Sequence, residues 1–162
     1  HAEMISRYDN LQQIRWVSVE NYHLTLVFLG DVEYVLLSSL NLELEQILNY
    51  NKAVPFKFSE IAPFPFSGTP KIVAAMLDQS VELMKLHYNL AKCFSAFGIS
   101  IERRRFTPHV TLGRLKFRSR KSLTFPPLQI FLEGVSKKVV ILGSDLTPKG
   151  AVYKSLWEIS LI

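Results

Sequence analysis

The spacing of apolar and polar positions changes period several times along the chain. Residues 14–19 (IRWVSV) read as extended, and residues 23–29 (HLTLVFL) form a β-rich run closed by Gly30 and Asp31. Over 33–50, Val35, Leu36, Leu40, Leu44, Ile47 and Leu48 fall mostly at intervals of three and four, which predicts an amphipathic helix. Val54, Phe56 and Phe58 alternate with Pro55 and Lys57, so 54–61 reads as a strand with Pro55 near its start or on an edge. The turn-rich stretch 62–70 predicts a loop, and 71–77 the returning strand. Ser80 suits an N-cap, and the apolar residues from Val81 to Phe97 predict a long helix that Gly98 ends. Residues 109–117 read as a strand, 118–127 as a basic loop, and 128–133 as a short helix or turn. Two closing strands follow at 139–142 and 152–161. Paired strands separated by single helices predict an α+β fold of mainly antiparallel sheet, in one domain over 1–162.

Composition narrows the class. Of 162 residues, 48% are hydrophobic and 20% charged, too apolar for a disordered chain. Cys93 is the single cysteine, so disulfides do not staple the fold. No apolar run approaches the roughly 20 residues that span a bilayer, and no secretory signal opens the sequence. A cytoplasmic protein is expected. The chain begins with His1 rather than Met, as a processed, tagged or incomplete copy would. Lys and Arg number 19 against 14 Asp and Glu, a net charge of +5 that suits an anionic partner and equally suits simple solubility.

One feature carries chemistry. His23-Leu-Thr-Leu-Val-Phe-Leu29 recurs as His109-Val-Thr-Leu-Gly-Arg-Leu115, about half the chain later. A duplicated half-domain is the natural reading. Residues two apart on a strand share a face, so His23 projects with Thr25, and His109 with Thr111. Halves related by a pseudo-twofold axis would bring two His–Thr pairs together across one central cleft. Two imidazoles can serve as acid and base. Two threonine hydroxyls can donate to the oxygens of a phosphoryl group as charge builds there. Such a site suits phosphate-ester chemistry and needs no metal. A lone His-x-Thr is more often a structural strand residue; the paired occurrence is what raises it.

At these residues the chain resembles the 2H phosphoesterase superfamily, and within it the RNA 2′,3′-cyclic phosphodiesterase family, historically called 2′-5′ RNA ligases. Arg15-Trp-Val-Ser-Val-Glu-Asn-Tyr-His23-Leu-Thr-Leu-Val-Phe-Leu-Gly30 resembles the first motif of that family. Arg105-Phe-Thr-Pro-His109-Val-Thr-Leu-Gly-Arg114 resembles the second, and Ser144-Asp-Leu-Thr-Pro-Lys-Gly-Ala-Val-Tyr153 the C-terminal signature. The resemblance implies a bilobal fold and a substrate that is RNA or an oligonucleotide with a 2′,3′-cyclic phosphate end. It implies hydrolysis to a 2′-phosphate without a cofactor, in a monomer away from membranes. It implies His109 as base, His23 as acid, or the reverse, with Thr25 and Thr111 on the non-bridging oxygens. Arg114 and Phe106 would contact substrate. Family members open with a strand and helix before the Arg-Trp segment; only residues 1–13 stand there here, so the opening strand is expected to be missing.

Strict alternation sends Arg114, three residues past Thr111, to the opposite face unless a local kink redirects it. The basic run from Arg103 to Lys121 reads either as a solvated loop or as a phosphate-tracking rim. Phe64, Phe66 and Phe106 are candidates to stack on a base, although phenylalanine is more often core. His87, inside a helix with no matching motif, and Cys93, a small buried residue, are assigned no role. Two other readings compete: a different 2H enzyme, acting on small cyclic nucleotides, other cyclic phosphates or a 2′-5′ linkage in ligation, and an RNA-binding module with structural histidines.

Overall fold

The computed structural model describes residues 12–49, 52–102, 104–116, 123–147 and 150–161. It is α+β. The strands are β1 (Ile14–Trp16), β2 (Val54–Phe64), β3 (Ile72–Leu77), β4 (His109–Leu115), β5 (Leu128–Ser136), β6 (Lys138–Thr147) and β7 (Gly150–Ser160). The helices are α1 (Tyr34–Ser39), α2 (Asn41–Asn49) and α3 (Val81–Ala96), with a 3-10 turn at Val19–Asn21. One sheet has the order β1-β4-β3-β2-β5, and β6 pairs with β7 in a second. The pairings of β1 with β4, β2 with β3, β3 with β4 and β6 with β7 are all antiparallel.

The chain groups into two compact units. The first comprises His1–Thr25, Lys57–Asp78 and Thr107–Leu132; the second comprises Leu26–Phe56, Gln79–Phe106 and Glu133–Ile162. In the first, β3 is buried along its whole length. Its alternating side chains feed two apolar clusters. Val73 joins Ile14, Leu123 and Phe125, with Trp16, Ile61, Leu112 and Leu115 packed around them. Ile72, Ala74 and Met76 join Ala62, with Phe64 against them. A strand that is apolar on both faces belongs in the middle of a sheet, where β3 lies.

In the second unit the helices bury regular stripes: Leu40, Leu44 and Leu48 along α1–α2, and Leu83, Leu86, Leu90 and Phe94 along α3. The Ser80 hydroxyl accepts from the Leu83 amide at 3.2 Å, so the predicted N-cap is present. At the other end Gly98 takes φ +80°, its amide donates to the Ser95 carbonyl, and the Ile99 amide donates to Phe94. This is a Schellman closure, with Ile99 and Phe94 both buried.

Several local expectations give way. The helix predicted over 33–50 is two helices, interrupted at Leu40, although the Leu44 amide still reaches the Leu40 carbonyl. The loop predicted over 62–70 begins only after Phe64, because residues 62–64 continue β2 against Ala74, Val73 and Ile72. Pro63 is tolerated there despite lacking an N–H. The turn predicted at 128–133 is strand β5. Residues 23–29 are not a regular strand: Leu24 makes one isolated bridge, and the chain passes to the second unit after Thr25.

Candidate active site

The two repeated motifs meet in the first unit. Leu24 bridges Val110 in antiparallel sense. That register sets His23 across from Thr111 and Thr25 across from His109. Residues opposite one another in an antiparallel pair project to the same side, so the four side chains share a face. An antiparallel pair also carries its own local twofold axis. The sequence repeat therefore appears as a symmetry of this one bridge, with each histidine beside the other motif's threonine.

The rings are held alike. His23 Nδ1 lies 2.8 Å from the Asn21 carbonyl, and His109 Nδ1 lies 2.8 Å from the Thr107 carbonyl. A carbonyl only accepts, so each Nδ1 carries the proton, which makes Nε2 the acceptor nitrogen of the neutral ring. Both histidines are half-buried, Thr111 is half-buried and Thr25 is exposed. The His109 ring also packs on Phe64, with centroids 4.6 Å apart and planes tilted by 35°. Ala62 and Ala74, paired on the same face, leave room for the two rings to meet. Phe66 meets Phe64 edge-on at 5.5 Å and is 63% exposed, so its outer surface is open to a ligand.

Arg114 lies on the same face as Thr111, against strict alternation. Opposite β3, Met76 pairs with His109, Ala74 with Thr111, Val73 with Gly113 and Ile72 with Arg114. Leu112 is left over as the extra residue of a β-bulge. Met76, Ala74 and Ile72 are two apart and share one face of β3, so their partners His109, Thr111 and Arg114 share it too. The bulge is the kink that alternation alone could not supply. Beside it Gly113 lets β1 approach closely, since a Cβ there would collide with Ile14 Cγ2 and sit 3.0 Å from Trp16 Cε3.

Phe106 belongs to the second unit, where its ring stacks on His87 with centroids 4.0 Å apart and planes 12° from parallel. One face of Phe106 is therefore taken. His87 Nδ1 lies 2.8 Å from the carbonyl of Leu26, the residue after Thr25. Sequence reasoning assigned His87 nothing. Its position four after Leu83 and three before Leu90, beside the buried stripe of α3, was the available signal. Cys93, expected to be buried, is half-buried.

The described part of the basic run is divided between the two units. Arg104 pairs with Glu102, and Arg105 donates to Gln79 at 3.3 Å, both within the second unit. Arg114 and Lys116 lie in the first unit, and the Lys116 ammonium donates to the Gln12 carbonyl at 3.1 Å. Arg103, Arg118, Arg120 and Lys121 lie outside the described residues. A depression of about 490 Å³ in the first unit is lined by Pro63, Pro70, Leu123, Thr124, Phe125 and Pro126, none of them in the quartet. The quartet is instead presented on a sheet face. Among the described residues, no group of three or more His, Cys, Asp and Glu is placed to hold a metal ion. Among those residues, too, no helix is long and apolar enough to cross a membrane.

Known proteins resemble this chain in sequence and in fold. An RNA 2′,3′-cyclic phosphodiesterase of Thermotoga maritima is 32% identical over 149 residues, covering 88% of this chain and 77% of its own. A crystal structure from Thermus thermophilus superposes with a TM-score of 0.82 at 25% identity, over 99% of this chain and 88% of that one. Escherichia coli LigT complexed with 3′-AMP superposes with a TM-score of 0.77 at 21% identity, over 99% and 88%. The sequence profile of the 2′-5′ RNA ligase superfamily matches residues 9–121. The chain belongs to the 2′-5′ RNA ligase superfamily.

Proposed function

We propose that this chain hydrolyses RNA or oligonucleotide ends carrying a 2′,3′-cyclic phosphate, leaving a 2′-phosphate and a free 3′-hydroxyl. The observation that carries this reading is the matched anchoring of His23 and His109 about the Leu24–Val110 bridge. With Nδ1–H held by a carbonyl, Nε2 accepts when the ring is neutral and donates when it is protonated. Neutral His109 takes a proton from water as the water oxygen bonds to phosphorus. Protonated His23 gives its proton to the 3′-oxygen as the P–O3′ bond breaks and its electron pair stays on oxygen. Exchange with solvent then resets both rings. The Thr25 and Thr111 hydroxyls donate to the non-bridging oxygens, where negative charge grows. These four side chains supply every proton and hydrogen bond the step needs, so turnover is expected without a metal ion. The name of the Thermotoga maritima relative supports the substrate class. A 5′-hydroxyl in place of water would yield a 2′-5′ linkage by the same step.

The test is hydrolysis of 2′,3′-cyclic nucleotides and a cyclic-phosphate-ended oligonucleotide in excess EDTA. His23→Ala and His109→Ala should each lower kcat by about 10²–10⁴-fold while the melting temperature holds. Near-wild-type turnover in either variant would overturn the proposal, as would a strict requirement for added metal.

A further inference from the structure

His87 stands outside the His–Thr quartet, yet it touches the segments that flank both motifs. It lies on α3, a 16-residue helix seated by Leu83, Leu86, Leu90 and Phe94. From that support its ring makes two contacts, both within the second unit. Nδ1 lies 2.8 Å from the Leu26 carbonyl, so it carries a proton and donates. One face of the ring stacks on Phe106 with centroids 4.0 Å apart. Leu26 directly follows Thr25. Phe106 directly precedes Thr107, whose carbonyl holds the His109 ring. Leu26 and Phe106 are far apart in sequence, and both fall outside the strands and helices. Irregular backbone keeps torsional freedom unless some contact removes it. Here one ring on a packed helix supplies that contact to both segments.

We infer that His87 is a positioning residue for both motifs, setting Thr25 through the Leu26 carbonyl and His109 through Phe106 and Thr107. This deepens the proposed function and rests on it. The two contacts have separate consequences. The hydrogen bond fixes the plane of the Leu26 carbonyl, and with it the torsions by which the chain leaves Thr25. The stack fixes Phe106, and from there to His109 the chain is stiff. Pro108 has its φ locked and is fully buried. Thr107, as the residue before a proline, is kept out of the helical region. A displacement of Phe106 is therefore passed on to the Thr107 carbonyl and not absorbed. A group held about 1 Å from its productive place costs up to about 10²-fold in rate. His87 thus acts on the reaction through its neighbours and not on the substrate.

Three substitutions separate the contacts. His87→Phe keeps a ring for the stack and removes the donor. His87→Asn keeps a donor near the place of Nδ1 and removes the stack. His87→Leu removes both, and Leu90→Val trims the same helix without touching either contact. Steady-state kinetics is measured on adenosine 2′,3′-cyclic phosphate, with the urea midpoint of each variant alongside. His87→Leu should lower kcat on the order of tenfold while KM stays within about twofold. His87→Phe and His87→Asn should each recover part of that loss, and they carry the test if His87→Leu does not fold. Leu90→Val should keep the wild-type kcat. On a Thr25→Val background the effect of His87→Phe should largely vanish, because the hydroxyl it serves is gone, while that of His87→Asn persists. Wild-type kcat in all three His87 variants, an equal fall in Leu90→Val, or full additivity of His87→Phe with Thr25→Val overturns the role. NMR of the ligand-free protein separates it from the hydrolase reading. His87→Phe should move the Thr25 methyl resonance, and His87→Asn the His109 ring-proton resonances; unmoved resonances in both overturn the role. Absence of turnover in wild type with those shifts present removes the hydrolase reading and leaves the positioning role standing.

Discussion

Gly113 lies so close to Ile14 that no side chain fits between them: an added Cβ would collide with Ile14 Cγ2. The contact fastens β1 to β4 beside the bulge that redirects Arg114. Gly113→Ala should therefore cost about 1–3 kcal/mol through overpacking, read as a lower urea midpoint. It should also lower activity, because β4 at this point turns Arg114 onto the face of His109 and Thr111. Unchanged stability would show that the strand edge yields freely.

Thr25 and Thr111 stand in equivalent places about the Leu24–Val110 bridge. Each Thr→Val substitution keeps shape and removes the hydroxyl. Each should lower kcat by about 10²-fold, the order seen when a donor to a developing oxyanion is lost, with KM moving less. Steady-state kinetics on a cyclic mononucleotide measures this. A change confined to KM would assign the hydroxyls to ground-state binding.

Phe64 buttresses the His109 ring from below. Phe64→Leu should lower kcat by several-fold, because the imidazole loses its ring contact while keeping the Thr107 carbonyl. The same change at Phe66, which touches Phe64 and not His109 among the contacts seen, should leave the ring undisturbed. Side-chain NMR of His109 in the two variants separates them: only Phe64→Leu should move its ring-proton shifts.

Cys93 on α3 is raised above the ordinary thiol range, first by burial and then by the Glu43 carboxylate. The folded chain thus keeps the thiol proton to higher pH than the unfolded chain. Iodoacetamide should label Cys93 several-fold more slowly in the folded protein than in urea at pH 8, because only the thiolate reacts. The stability linked to this proton is present below the unfolded thiol pKa and is lost as pH rises through the folded one.

Much of this was legible in the residues. The Ser80 cap, the α3 stripe and the Gly98 stop were all readable because each rests on contacts within a few residues. The His–Thr repeat was readable because identical spacing survives translation into any register. The rest depends on partners distant in sequence. That residues 23–29 form one bridge instead of a strand depends on where the chain leaves Thr25. The direction of Arg114 depends on a bulge set by β1 and β3, which local alternation does not contain. Residues 62–64 look like loop because of Pro63 and Pro65, yet β3 pairs with them. His87 looked idle because its carbonyl partner, Leu26, is 61 positions away.

The bulge at Leu112 works as a change of reading frame in space. Upstream of it, odd-numbered residues of β4 lie on the face of Ala74 and Met76; downstream, even-numbered ones do. One extra residue thus lets a single short strand present His109, Thr111 and a cation on one face, while the same strand keeps Leu112 and Leu115 among apolar neighbours. Ironed flat with its sequence unchanged, the strand would turn the cation into the apolar layer and bring Leu115 out in its place. A related chain that lacks the extra residue keeps the same pattern only with its guanidinium two positions after the threonine, not three.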